Sequence, residues 1–153
     1  MRNLATDLLI GIGTAAAATW LMDKATSALY ERENPFAKQR EDSARGGKSA
    51  YENAAERWLG DKKYGNAIHW ALGLSAGALY AGLRHNSKKL HIGSGLLYGA
   101  LFFATMDEGV NTALKLTPPP KAFPWQTHAR GLAGHLLLGG LLEAPFDILD
   151  AAA

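Results

Sequence analysis

The feature that most constrains this chain is a run of 20 residues, 64–83, that contains no Asp, Glu, Lys or Arg. A helix that spans a bilayer needs about 20 mainly apolar residues, whereas a soluble surface helix carries charge along its exposed face. Three more apolar segments are present, and we predict membrane spans at 4–24, 64–83, 90–114 and 127–149. The mean hydropathy of −0.09 hides this segregation, because nine of the sixteen Lys and Arg residues lie within 24–63.

A polar stretch, 31–63, separates the first two apolar segments. Pro35 disfavours helical backbone at Asn34 and so predicts the end of the first helix. Further on, Ser49 and Glu52 have the spacing of a capping box, which predicts a short amphipathic helix over 50–59. The chain is therefore predicted to be all-α and a single membrane domain over 1–153. Its expected fold is a four-helix transmembrane bundle with a short amphipathic surface helix between helices 1 and 2.

The first apolar run, 8–22, has only 15 residues and follows Arg2, as the apolar part of a secretory signal would. No small-residue cleavage site follows it, and the helical pattern continues. We therefore predict a retained membrane helix. Three tryptophans have positions that suit anchoring at the membrane interface: Trp20, Trp58 and Trp125.

Small residues recur at four-residue spacing in two of the segments. Such pairs allow the backbones of neighbouring helices to approach closely in lipid. Gly73 and Gly77 form one pair in the second segment, and Gly95 and Gly99 form another in the third. We expect both pairs to lie in helix–helix contacts, although glycine and alanine are also abundant elsewhere in these segments.

Six of the polar side chains inside the predicted spans form a candidate intramembrane polar site: Asp107, Glu108, Asn111, His135, Glu143 and His69. Ionisable groups in hydrocarbon are costly, and they usually face a partner, a cavity or an ion pathway. One interpretation is a cation or proton site. The other places the acids near the helix end, in the headgroup zone or paired with Arg130. Antiparallel packing of the third and fourth segments would bring His135 to the depth of Asp107, so we expect His135 to meet Asp107, Glu108 or Glu143.

Several classes of function lack a basis in the sequence. The chain has no cysteine, which excludes disulfides and thiolate sites, and its net charge of +2 is too small to indicate nucleic-acid binding. His128 and His135 lie about 10 Å apart along a helix, which is weak spacing for one metal ion. No nucleophile–base pair or phosphate loop stands out. We therefore predict no metal, no cofactor and no enzyme activity.

The second half of the chain carries Leu-Thr-Pro-Pro at 116–119, Phe-Pro-Trp at 123–125 and Gly-His at 134–135, with Glu143 in the same helix. Further motifs lie at 66–70 and 95–100, and in the first half at 18–23 and 51–56. In these motifs the chain resembles the YagU-like family of bacterial inner-membrane proteins, a family without an established biochemical activity. The resemblance implies four helices in the bacterial inner membrane, with both termini cytoplasmic, and supplies no catalytic residues. Lys and Arg counts instead place the loop 31–63 in the cytoplasm, so the orientation stays open.

Two functions fit these observations. The polar groups suffice for bonds between helices, which favours a structural or accessory subunit that packs against other membrane helices, in a larger complex or a homo-oligomer. The alternative is an oligomeric channel or transport-associated protein that handles protons or cations near Asp107, Glu108 and His135. In both cases the lipid bilayer surrounds the chain, and nucleic acid is not an expected partner.

Overall fold

The computed structural model describes residues 2–87 and 93–152, and this part of the chain is helical, without strands. The long helices are α1 (Leu4–Glu31), α4 (Gly65–Asn86), a third that starts as α5 (Leu96–Phe102), and α7 (Trp125–Ala151). After α5 the chain continues through a π-helical stretch (Phe103–Val110) into α6 (Asn111–Ala113). Two shorter helices, α2 (Pro35–Arg45) and α3 (Ala50–Leu59), lie between α1 and α4. Single 3₁₀ turns occupy Lys62–Tyr64 and Pro120–Ala122.

Two of these helices are long and apolar enough to cross a membrane, Leu4–Arg32 and Trp125–Ala151. They contain the first and fourth predicted spans. The prediction of an all-α fold is therefore confirmed for the described residues, whereas four membrane spans are not. The first, second and fourth predicted spans each lie on one long helix, α1, α4 and α7 respectively. Of these, α4 extends three residues beyond the predicted end at residue 83.

The polar stretch after α1 contains two helices, so the prediction of a single surface helix there was incomplete. The side chain of Asn34 accepts a hydrogen bond from the backbone N–H of Ala37 (2.8 Å) and caps α2. Pro35 occupies the first position of α2, where its missing N–H removes no helical bond. The same proline that ends α1 therefore begins a new helix, which stops at Gly46 in left-handed backbone (φ 61°).

The predicted helix over 50–59 and its capping box are both present. The backbone N–H of Glu52 donates to Ser49 Oγ (3.2 Å), and the N–H of Ser49 donates to Glu52 Oε2 (2.8 Å). The buried face of α3 consists of Ala54 and Ala55, whereas Trp58 is exposed. Small side chains let α3 lie close to the rest of the molecule.

The third long helix starts later than predicted. A turn over residues 93–95 precedes it, in which Gly93, Ser94 and Gly95 all have left-handed backbone (φ 72°, 50° and 81°). Gly95 therefore lies before the helix and not inside it; the predicted start at residues 90–92 falls outside the described residues. The π-helical stretch was also not predicted, and in it the N–H of Asn111 donates to the carbonyl of Met106.

The long helices pack in the order α4, α1, α7, α5. The hydroxyl of Tyr98 on α5 donates to the carbonyl of Ala76 on α4 (2.7 Å), which closes the arrangement into a bundle. The buried core contains small and aromatic side chains from all four: Ala15, Ala18, Tyr80, Ala81, Tyr98, Leu138, Leu142 and Phe146.

The four glycines expected in helix contacts all lie against a neighbouring helix. Gly77 lies against the backbone of Gly11, and Gly73 against the side chain of Thr19, so both face α1. Gly95 and Gly99 lie against backbone carbonyls of α7, those of Gly139 and His135 respectively. Side chains at these positions would separate the helices.

Candidate functional site

A cavity of about 290 Å³ lies between the C-terminal half of α1, the start of α3 and α4, the π-helical stretch and the start of α7. We call it the central cavity. Polar, charged and aromatic side chains line it: Asp23, Arg45, Tyr51, His69, Phe103, Asp107, Glu108, Asn111, Thr112, Phe123, Thr127, His128 and Arg130. The proline-containing connection after α6 forms another part of its wall. It is the largest concentration of titratable groups in the described part of the chain that faces an open space.

Two histidine–carboxylate pairs lie at the wall of the central cavity. His69 Nε2 on α4 donates to Asp23 on α1 (3.0 Å). His128 Nδ1 on α7 donates to Glu108 Oε1 on the π-helical stretch (2.6 Å), and its Nε2 donates to the carbonyl of Pro120 (3.1 Å). Both ring nitrogens of His128 therefore lie within hydrogen-bond distance of an oxygen acceptor. These pairs connect α1 to α4 and the π-helical stretch to α7.

His135 and Asp107 lie deeper between the same two elements. His135 Nδ1 is 3.8 Å from Asp107 Oδ2, so the expected meeting of His135 with a carboxylate of the third segment is present. The distance is too long for a hydrogen bond. His135 Nδ1 instead donates to the carbonyl of Gly131 (2.9 Å), and its ring packs against Phe102 and Phe103. The side chain of His135 is almost fully buried, whereas that of Asp107 is 32% exposed.

Glu41 fixes α2 to α7 beside the central cavity. Its carboxylate accepts two hydrogen bonds from Arg130 (2.6 and 2.7 Å), one from Thr127 (2.8 Å) and one from Arg45 (2.9 Å). Burial raises the pKa of Glu41, but these hydrogen bonds outweigh that effect and hold the pKa below the ordinary glutamate value. Arg130 also pairs with Glu33. The interpretation that paired Asp107 or Glu108 with Arg130 is therefore wrong.

Glu143 lies at the opposite end of the bundle, which corrects its assignment to one site with His135. It lies eight residues beyond His135, or about 12 Å along a helix. Arg84 Nε and Nη2 donate to its two carboxylate oxygens (2.7 and 2.9 Å), and Tyr80 donates a further hydrogen bond. Glu143 is fully buried, and Arg84 also donates to Asp150 (3.0 Å).

Arg84 follows the predicted span 64–83 directly, but it lies inside α4 and is buried. Its guanidinium stacks on the ring of Phe146, 4.6 Å from the centroid. A second network at this end joins the start of α1 to α4 and α7: Asp7 accepts from Arg2 and His85 (2.8 Å each), and Arg2 also pairs with Asp150. Apart from the Arg2–Asp7 pair, these pairs join residues that are distant along the chain, so no local sequence pattern indicates them.

The region between the central cavity and the Arg84–Glu143 pair is closely packed. Gly99 lies against the backbone of His135. Tyr98, Leu138 and Leu142 are buried directly beyond it. Most buried residues of this layer are aromatic or aliphatic. Its tyrosine hydroxyls are already engaged, that of Tyr98 by the carbonyl of Ala76 and that of Tyr80 by Glu143, and Thr19 is a further buried polar side chain.

The predicted site residues thus divide into two groups. Four line the central cavity, His69, Asp107, Glu108 and Asn111, and His135 lies behind Asp107. Glu143 belongs to the other end of the bundle. The predictions missed Asp23, Tyr51 and Thr112 as lining residues. The three tryptophans expected at the interface, Trp20, Trp58 and Trp125, are all exposed.

Within residues 2–87 and 93–152, no group of three or more His, Asp or Glu side chains could hold a metal ion. Comparisons with known proteins found no matching family model, no matching curated protein and no matching solved structure. The resemblance to the YagU-like family stays a prediction.

Proposed function

We propose that this chain is an integral membrane protein whose four long helices all cross the bilayer. Support comes first from α1 and α7, which pass the criteria of length and hydropathy. Only 28% and 39% of their most apolar windows are buried within the molecule. The core helix of a soluble protein would be mostly buried, whereas most of the apolar surface of these two helices is exposed. Contact with lipid would remove this surface from water.

The other two long helices carry the same kind of surface. On α4, Leu79 and Leu83 are exposed, and on α5 so are Leu96, Leu97 and Leu101. Contiguous exposed apolar surface of this extent is rare on soluble monomers. It forms a band around the bundle together with the exposed leucines of α1 and α7, which is the single observation that carries the membrane proposal.

Charged residues delimit this band along α1. Asp7 and Asp23 are sixteen residues apart, or about 24 Å along a helix. A bilayer core is about 30 Å thick, and a short apolar length is accommodated by local thinning and by basic side chains that extend to the headgroups. Arg2 and Lys24 flank the band and suit that role. The bacterial inner membrane, implied by the resemblance, is part of this proposal.

Within the membrane we propose a non-conducting role, that of an accessory subunit that packs against other membrane helices or against copies of itself. The closely packed layer between the two polar ends supports this role, because an ion or water file would have to pass Tyr98, Leu138 and Leu142. The alternative, transport of protons or cations, draws its support from the titratable groups of the central cavity. Because the layer inside the bundle is closely packed, protons or cations would then have to cross the membrane between the chains of an oligomer.

Flux through vesicles separates the two functions. The purified protein is reconstituted into liposomes that contain a pH-sensitive dye, and proton and potassium flux are compared with those of protein-free vesicles. An accessory subunit leaves both rates at the protein-free level, and it retains bound partner subunits or its own copies in mild detergent. Protein-dependent flux that is lost in Asp107→Asn would refute the non-conducting role and establish the alternative.

A further inference from the structure

The two arginines at the central cavity are already neutralised by other side chains. Arg130 donates to Glu41 and pairs with Glu33, and Arg45 donates to Glu41. The guanidinium of Arg45 also lies over the ring of Phe123, 5.3 Å from its centroid. These contacts hold both guanidinium groups at the edge of the cavity, where their hydrogen bonds go to Glu41 and Glu33 and not to the carboxylates that face its interior.

Two of the three carboxylates that line the cavity have histidine partners. Asp23 accepts from His69, and Glu108 accepts from His128 at 2.6 Å. The third, Asp107, accepts no hydrogen bond from the described residues. Its nearest cationic candidate, His135, has its Nδ1 proton engaged by the carbonyl of Gly131 and lies 3.8 Å away. Asp107 is therefore a partly exposed acceptor without a hydrogen-bond donor, at the wall of the central cavity.

A second polar residue, Asn111, lies at the same wall. Its side chain carries a carbonyl oxygen that accepts hydrogen bonds. A ligand with several N–H donors would therefore satisfy the carboxylate of Asp107 and the side-chain oxygen of Asn111 together.

The remaining lining distinguishes between kinds of cation. The aromatic rings of Tyr51 and Phe103 face the cavity, and aromatic faces attract organic ammonium groups. A divalent metal ion would need several oxygen or nitrogen ligands, and no group of three His, Asp or Glu side chains that could hold one is present among the described residues. The volume of about 290 Å³ lies just below the range for small-molecule sites, which begins at about 300 Å³, so the ligand must be small.

We infer that the central cavity is a binding site for a small primary ammonium cation, held by the carboxylate of Asp107 and by the rings of Tyr51 and Phe103. The ammonium group supplies three donors, which match the two carboxylate oxygens of Asp107 and the side-chain oxygen of Asn111. Its alkyl part lies against the aromatic rings. This inference goes beyond the accessory role and does not depend on whether the chain conducts ions.

The test uses the full chain, purified in mild detergent, and titrates it with propylammonium chloride in a calorimeter. Two further titrations serve as comparisons: 1-propanol has nearly the same shape without the charge, and potassium chloride supplies a cation without N–H donors or an alkyl part. We expect saturable binding of propylammonium, and binding of 1-propanol and potassium that is at least about tenfold weaker, because a hydrogen bond to a charged group is lost in each case.

Variants locate the site. Asp107→Asn keeps the shape of the side chain and should weaken propylammonium binding at least about tenfold. Asp42→Asn makes the same change on an exposed side chain outside the cavity and should leave binding unchanged. Tyr51→Leu removes a ring and should weaken binding by about 3- to 30-fold. Circular dichroism of each variant verifies that the helices are retained, and Tyr51→Leu tests the site independently if Asp107→Asn fails to fold.

Three results would overturn the inference. The first is an absence of saturable propylammonium binding to the folded protein. The second is equal affinity for potassium or for 1-propanol, which would indicate an inorganic cation site or an apolar pocket. The third is unchanged binding in folded Asp107→Asn. None of these results bears on flux, so failure of this inference and failure of the proposed function are distinguishable.

Discussion

Gly77→Ala tests the closest contact in the bundle, that between α4 and α1. A Cβ atom at Gly77 would overlap the carbonyl oxygen of Gly11 and the Cβ atom of Ala15, and it would lie 3.0 Å from the carbonyl carbon of Gly11. Carbon atoms in favourable contact are about 3.5–4.0 Å apart. The two helices must therefore separate by at least about 0.5 Å, in a region where Ala15 and Ala18 are fully buried.

The magnitude follows from two opposing effects. Alanine is favoured over glycine in a helix interior by about 0.5–1 kcal/mol. An extra methyl group in a closely packed contact destabilises by about 1–3 kcal/mol. Gly13 provides a matched control, because it lies in the contacting helix α1 and a Cβ there would meet nothing within 4 Å. Gly13→Ala has the first effect alone, so the difference between the two variants isolates the packing effect.

We expect Gly77→Ala to be less stable than Gly13→Ala by about 1–3 kcal/mol. The free energy of unfolding is measured in mixed micelles by titration with a denaturing detergent, with helicity followed by circular dichroism. Gly13→Ala should be at least as stable as the unmodified chain. Equal stability of the two variants would show that α1 and α4 do not meet at Gly77, and the arrangement of the helices would be wrong.

Three further predictions concern polar contacts, and each is measured as a free energy of unfolding or as local protection. Arg84→Met leaves the buried carboxylate of Glu143 without its cation and should destabilise by about 3–5 kcal/mol; the double variant with Glu143→Met should recover most of the loss, and additive losses would contradict the pairing. The pKa of Glu41 in the folded protein lies below the ordinary glutamate value, so its ionised form contributes to the free energy of unfolding at neutral pH, and this contribution is lost as the pH falls below the ordinary glutamate pKa. Glu41→Gln should therefore lower the free energy of unfolding at pH 7 and make it decline less steeply towards acid pH; an unchanged pH dependence would contradict the prediction. Ser49→Ala should weaken α3 by about 1 kcal/mol, seen as faster amide exchange in α3 but not in α2.

Local signals allowed much of the fold to be predicted. Capping at Ser49 and the uncharged run 64–83 depend on neighbours along the chain, and both indicated helices that are present. The glycine contacts could also be predicted, because a missing side chain permits close approach whichever helix supplies the partner. For Pro35, the end of α1 was predicted but the start of α2 was not, because proline suits the first position of a helix as well as the position after one.

The site was harder to predict, because its geometry depends on how the helices are rotated. In the π-helical stretch the hydrogen bonds join residues five apart, so each turn holds more residues than in an α-helix, and successive side chains lie closer together in angle. Asp107 and Glu108 therefore line one cavity, although α-helical spacing separates them by about 100°. The pairing of Glu143 with Arg84 was missed because the predicted span ended at residue 83, before the first charged residue, whereas Arg84 is buried in α4.

The central claim is that α4 and the third long helix, 96–113, cross the membrane together with α1 and α7, and cysteine accessibility tests it most directly. The chain has no cysteine, so each introduced thiol is unique. Leu79→Cys on α4 and Leu101→Cys on α5 place thiols in the exposed apolar band, and Lys48→Cys places one between α2 and α3 as a water-exposed control. Maleimides react with the ionised thiol, which requires water. In open membrane fragments we expect a polar maleimide to label Lys48→Cys rapidly and the other two hardly at all, and equal labelling at all three positions would contradict the four-span bundle.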